Sequence, residues 1–193
     1  VCIGCGLGMG QISEKILKNV LKKVSCPCVI DADGLNLLSR NIELLNQCCA
    51  PVILTPHMKE MSRLTGWSID TIMEDRFQAL DQIIKQSGPD TKSSIICVLK
   101  DSRTVVAQTN RQKFVNLAGN NSMAKGGSGD VLAGTIAGLL AQHMAPFEAT
   151  TVGVFLHACG GDEAKKSKGS YSVLARDLIQ GMADAMKNAK ECR

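Results

Sequence analysis

The chain has 193 residues, 45% of them hydrophobic, which is enough for one domain built around a substantial core. Its 22 Lys and Arg against 18 Asp and Glu leave a net charge of +4 with no basic run, and aromatic residues make up only 3%, so nucleic acid is excluded as a partner. No apolar segment approaches the roughly 20 residues needed to span a bilayer, and the opening VCIGCGLG lacks a charged leader, so a cytoplasmic chain with no membrane partner is expected.

The nine cysteines are an odd number scattered through apolar segments, which reads as small buried hydrophobes and not as a disulfide framework or a metal site. Because the chain begins inside an apolar run without a methionine, it reads as the later portion of a longer domain.

Residues 1–4 predict a strand, followed by the turn Gly4-Cys5-Gly6-Leu7-Gly8-Met9-Gly10 and a helix patterned on Ile12, Ile16, Val20 and Val24. The turn lacks the full spacing of a dinucleotide loop, so a tight strand-to-helix connection without a ligand stands beside a binding role. Residues 28–30 predict a buried strand ending at Asp31-Ala32-Asp33-Gly34, whose carboxylates suit Mg²⁺ or a ribose; a capped turn explains the same residues. Residues 52–54 predict the next strand, and Pro56 then stiffens the exit and presents His57 beyond its carboxyl end, in a structural or a functional role.

Met73, Phe77, Leu80 and Ile84 predict one long helix that stops at Ser87-Gly88-Pro89. Residues 95–99 predict a fully buried strand, joined through the charged turn 100–104 to a second strand at 105–108.

The stretch 119–142, GNNSMAKGGSGDVLAGTIAGLLAQ, then joins a small-residue turn to a helix patterned on Leu132, Ile136, Leu139 and Leu140. The amides of Gly126, Gly127, Ser128 and Gly129 can crowd round an anion at the positive end of that helix. Asp130 is either the helix cap or a general base beside that phosphate site. Residues 147–164 predict a buried helix with Val152, Phe155 and Leu156 on its apolar side and His157 within the helix layer. Residues 174–189 predict a last helix with Leu178, Met182 and Met186 inward. Strands alternating with helices imply a mostly parallel sheet covered on both faces, as one domain over residues 1–193.

GGSGD followed by VLAG resembles the GGTGD signature of ribokinase-like enzymes, and MAKGGSGDVLAGTIAGLLAQ narrows the likeness to the ADP- or ATP-dependent NAD(P)H-hydrate dehydratases. GCGLG at 4–8, DADGLNLL at 31–38, LTPHMKEMSRLTG at 54–66 and LKDSRT at 99–104 resemble that family in the same order. The resemblance implies a ribokinase-like three-layer α/β/α fold lacking its N-terminal part. It also implies phosphoryl transfer from ADP or ATP, with Mg²⁺, to the hydroxyl of an NAD(P)H hydrate, and a homo-oligomer, in relatives a tetramer.

Carried over by residue, it makes Asp130 the base and places Gly8, His57 and Asp130 on the substrate. It places Lys100, Asp101, Ser102, Arg103, Thr104 and the Gly126, Gly127, Ser128, Gly129 turn on the nucleotide. Three departures from the family pattern stand out: Cys5 for proline, Asp101 for glycine and Lys125 for threonine. A hydroxymethylpyrimidine- or hydroxyethylthiazole-type kinase and an inactive nucleotide-binding fragment are the alternative readings.

Overall fold

The structure, a computed structural model, describes residues 1–85, 94–109 and 113–191. Its frame is a six-stranded sheet in the order of the chain: β1 (Cys2–Ile3), β2 (Cys28–Ile30), β3 (Val52–Leu54), β4 (Ile95–Leu99), β5 (Val105–Gln108) and β6 (Phe114–Val115). The first four strands run parallel, and β4, β5 and β6 turn back on one another as antiparallel neighbours. Parallel strands place their carboxyl ends on one edge, which is where open α/β sheets take their ligands.

One face of the sheet is covered by α1 (Gln11–Lys23), α2 (Asp33–Leu38), α3 (Met58–Thr65), α4 (Ile69–Glu74) and α5 (Arg76–Ile84). Leu17, Leu21, Leu37, Met61, Ile72 and Leu80 pack there with Ile30, Leu54 and Leu99. The other face carries α6 (Ser128–Ala141) and α7 (Pro146–Lys168), whose Leu132, Ile136 and Val154 meet Val29, Ile53, Ile96 and Val98. Alternate residues of each buried strand thus feed opposite layers, as a period of two requires. Outside these layers α8 (Ala175–Glu191) packs on α7. Gly160 of α7 and Gly181 of α8 let the two backbones touch, since a Cβ on Gly181 would overlap the carbonyl oxygen of Gly160.

Several sequence expectations change here. In α1 the buried face is Ser13, Leu17 and Leu21, while Ile12 and Ile16 are exposed. The single helix expected over 73–84 is two helices, because Asp75, with φ −142°, leaves the helical region and its carboxylate caps α5 through the Gln78 amide at 2.9 Å. Its expected stop at 87–89 lies outside the described residues. In α7 Val152 and Phe155 face outward, and the helix continues to Lys168. The short strand β6 is an element that the sequence reading left out. Of the described cysteines, Cys2, Cys5, Cys26 and Cys49 are exposed and not buried fillers, whereas Cys28, Cys48 and Cys97 are buried.

Candidate active site

The site grows from the ends of the parallel strands. Beyond β2, Asp31 is buried, and its Oδ1 accepts from Thr55 Oγ1 at 2.8 Å and from Lys100 Nζ at 2.7 Å, so residues following three different strands meet at one carboxylate. A buried carboxylate needs such partners to remain charged. Backbone shape fixes it in place. Ala32 holds φ at 50°, a conformation rare for a residue with a side chain. Gly4, at φ 125°, packs so close that a Cβ there would overlap the Asp31 carbonyl. Lys100 is seated by a bridge to His57 and by donating its amide to Pro56 O at 2.8 Å.

His57 is the cap of α3: its Nδ1 accepts the amides of Lys59 and Glu60 at 3.1 and 3.2 Å, and Glu60 Oε2 accepts the amide of His57 at 2.8 Å. Because Nδ1 is an acceptor, the neutral ring carries its proton on Nε2, the half-exposed edge that faces the cleft. Glu60 lies 3.4 Å from that Nε2, and burial pushes its carboxyl upward despite the nearby His57 amide and Lys100.

Across the sheet edge stands the start of α6. Gly127 is its cap residue in the left-handed region, φ 85°, with no side-chain cap, so Asp130 falls at the third helical position. The cap reading of Asp130 is therefore corrected: a cap carboxylate reaches forward to an amide, and Asp130 lies inside the turn it would have capped. The amide of Ser128 folds back on Lys125 O at 3.2 Å, which removes it from the anion-binding set; Gly129 and Asp130 keep first-turn amides without intrahelical acceptors.

Behind the turn, His157 of α7 holds Ser128, with Nε2 at 3.1 Å from its carbonyl and 3.4 Å from its Oγ. Burial drives the His157 pKa down to about 4, so near neutrality the ring is uncharged and Nε2–H donates to the carbonyl. Asp162 of the same helix accepts from Gly119 N at 3.0 Å and Asn120 Nδ2 at 2.8 Å, pinning the loop that leads into the turn.

These pieces enclose a cavity of about 830 Å³, walled by His57, Lys100, Ser102, Thr104, Lys125, Ser128, Gly129 and His157 among others. Its deeper lining, from Ala118, Met123, Leu132, Val154 and Ala158, is apolar. Such an enclosure, with one cationic end and one apolar end, suits a nucleotide-sized ligand.

Of the sequence candidates, Asp101 lines this cavity too, but Arg76 takes its carboxylate at 3.0 Å, which offsets the charge it would set against a polyphosphate. Arg103 is exposed and not on the cavity wall. Asp130 is not on the wall of this cavity but groups with Cys5 and Asp31; one ligand atom from each falls within 4.8 Å of the others. Gly8 is not on the wall either, and its amide is donated to Asp33 at 2.8 Å.

Sequence reasoning placed Lys100 on the nucleotide and offered Asp31 to Mg²⁺ or a ribose, but it did not pair them, and it did not single out the buried Glu60 or the two α7 side chains behind the turn, His157 and Asp162, as site residues.

The protein-family model described as NAD(P)H-hydrate dehydratase matches residues 1–183. A bifunctional NAD(P)H-hydrate repair enzyme of Moorella thermoacetica is 36% identical over 191 residues, 99% of this chain and 35% of that protein. An ADP-dependent (S)-NAD(P)H-hydrate dehydratase of Neisseria meningitidis is 38% identical over 189 residues, 96% of this chain and 62% of that one. Among solved structures, the ADP/ATP-dependent NAD(P)H-hydrate dehydratase of Bacillus subtilis, co-crystallised with ATP/Mg²⁺, superposes with a TM-score of 0.84 at 29% identity, over 97% of this chain and 63% of that one. A hydroxyethylthiazole kinase of Pyrococcus horikoshii shares the fold at a TM-score of 0.70 and 16% identity. The chain thus spans about a third of the Moorella protein and less than two thirds of the Neisseria and Bacillus dehydratases. A match to the family model over nearly its whole length, carried on this site, places the chain in the NAD(P)H-hydrate dehydratase family.

Proposed function

We propose that the chain carries the active site for ADP- or ATP-dependent dehydration of NAD(P)H hydrate. The observation that carries this reading is the place of Asp130. It stands in the first turn of α6 without a capping duty, next in sequence to Gly129, which lines the nucleotide-sized cavity. A carboxylate there can reach a hydroxyl on one side while the turn holds the transferring phosphoryl group on the other.

In this scheme Asp130 takes the proton of the C6 hydroxyl as its oxygen bonds to the terminal phosphorus and the bond to the nucleotide's bridging oxygen breaks. The C6–O bond then breaks, releasing inorganic phosphate, and a ring proton leaves to restore the double bond of the reduced nicotinamide. Lys100, held by Asp31 beside Gly129, and Lys125 supply positive charge to the phosphates, and the free amides at the start of α6 meet the developing negative charge. His57 offers Nε2–H to the substrate.

Mg²⁺ prefers an all-oxygen shell and keeps several waters. The described residues include one three-group cluster, which pairs two carboxylates with a thiol, and Lys100 already occupies Asp31. That set does not fit a dedicated Mg²⁺ cage, so no step here passes through the ion.

The products discriminate between readings. With hydrated NADH and ATP, a dehydratase yields free phosphate and NADH in equal amounts. A stable phosphate ester from this or another alcohol would identify a kinase on the same fold instead.

A further inference from the structure

The turn after β1 brings Cys5 to the base. Its Sγ, a carboxylate oxygen of Asp130 and one of Asp31 lie within 4.8 Å of one another, which places the Cys5 thiol beside the Asp130 carboxylate. The groups facing this pair are Asp31 beyond β2, Lys100 beyond β4 beside Gly129, and Cys2 on β1. A carboxylate at the third position of a helix, exposed and without a cap contact, otherwise has free χ angles.

We propose that Cys5 is a positioning residue for Asp130: its S–H donates to one carboxylate oxygen and leaves the other turned toward the hydroxyl that is to be deprotonated. The inference rests on the dehydratase reading for its catalytic consequence, but the Cys5–Asp130 contact is a property of the folded chain alone.

Burial and the neighbouring Asp130 carboxylate hold the thiol protonated, with its pKa pushed up to about 12, and an exposed cysteine that is nearly all thiol reacts slowly with electrophiles.

The test therefore has an arm that needs no turnover. The full chain and its Asp130→Asn variant are treated with iodoacetamide, and alkylation of the Cys5 peptide is followed by mass spectrometry, with exposed Cys26 and Cys49 as internal references. Removing the carboxylate should speed Cys5 labelling by about tenfold, the factor for one unit of thiol pKa, and leave the reference sites unchanged.

The second arm is the split between kcat and KM. Cys5→Ala should lower kcat by roughly threefold to tenfold, a thiol being a weak donor, and leave KM near the parental value. Cys5→Ser, which restores an O–H donor, should recover kcat. Equal labelling of Cys5 in the parent and Asp130→Asn overturns the contact. Accelerated labelling with a kcat that ignores Cys5→Ala overturns the positioning role. A chain with no dehydratase activity but with accelerated labelling would instead refute the functional reading and leave the contact standing.

Discussion

Asp130 is where a single atom separates the two readings of its residue. It is not the cap of α6, because Gly127 is, so replacing it with asparagine removes a charge and no capping bond. The carboxylate does favour the positive end of the helix, an effect of about 0.3–1 kcal/mol, and the stability of Asp130→Asn should stay within that range of the parent in urea unfolding. Turnover should fall by roughly 10² to 10⁴-fold, the usual contribution of a placed acid–base group. Activity within a few-fold of the parent would leave the reaction without its base.

His157 provides the pH prediction. Its folded pKa of about 4 lies below the ordinary value of 6.5, so the unfolded chain takes up a proton first as pH falls. This contribution to stability is whole above pH 6.5 and is lost toward pH 4, on the order of 3 kcal/mol over that window. His157→Gln keeps a donor for Ser128 O and cannot titrate. Its unfolding free energy should decline less steeply than the parent's between those two pH values, and parallel declines would refute the burial argument.

Elements show where sequence periodicity works and where it does not. The strands were legible because runs such as residues 95–99 are apolar throughout and bounded by charge, as a strand buried on both faces must be. The turn into α6 was legible because few other arrangements use that many small residues before a helix. The faces of α1 and α7 were not. Both Ile12, Ile16 and the set Leu17, Leu21 satisfy a helical period in α1, and the second set is buried, with Ser13 donating to Leu7 O at 2.8 Å and tying the helix to the turn before it.

In α7 the apolar residues go all the way round, and most of its buried residues are glycine and alanine, which hydrophobic patterns overlook. The test of that contact is a pair of alanines. Gly181→Ala should cost about 1–3 kcal/mol or more, because its Cβ meets the backbone of Gly160 and cannot yield. Gly138→Ala, in α6 with nothing near its Cβ, should instead stabilise by about 0.5–1 kcal/mol. Similar effects at the two sites would remove the close-approach explanation for α7 and α8.

At the scale of the whole molecule, the site is a meeting of distant segments, which is why so much of it was hidden. Lys100 reaches Asp31 across 69 positions of sequence, and Asp162 reaches Asn120 across 42. No local pattern encodes such pairs; they follow from strand order and from the packing of α7 behind the α6 turn. The same assembly makes nucleotide binding visible as stability. At a concentration about 100-fold above Kd, ADP or ATP should stabilise the native chain by about 2.7 kcal/mol, which raises Tm by roughly 5–10 °C. Lys125→Ala should shrink that ligand-induced rise and leave the Tm of the free protein within about a degree, since Lys125 is exposed at the cavity wall. An unchanged ligand-induced rise would place the phosphates elsewhere.

The most direct measurement of the central claim follows the absorbance of the reduced nicotinamide while the purified chain is incubated with hydrated NADH and Mg²⁺, with and without ADP or ATP. The account predicts that NADH appears only with the nucleotide, and that one inorganic phosphate is released for each NADH formed. Nucleotide that stabilises the protein and is consumed, while the hydrate stays hydrated or accumulates as a phosphate ester, would contradict it.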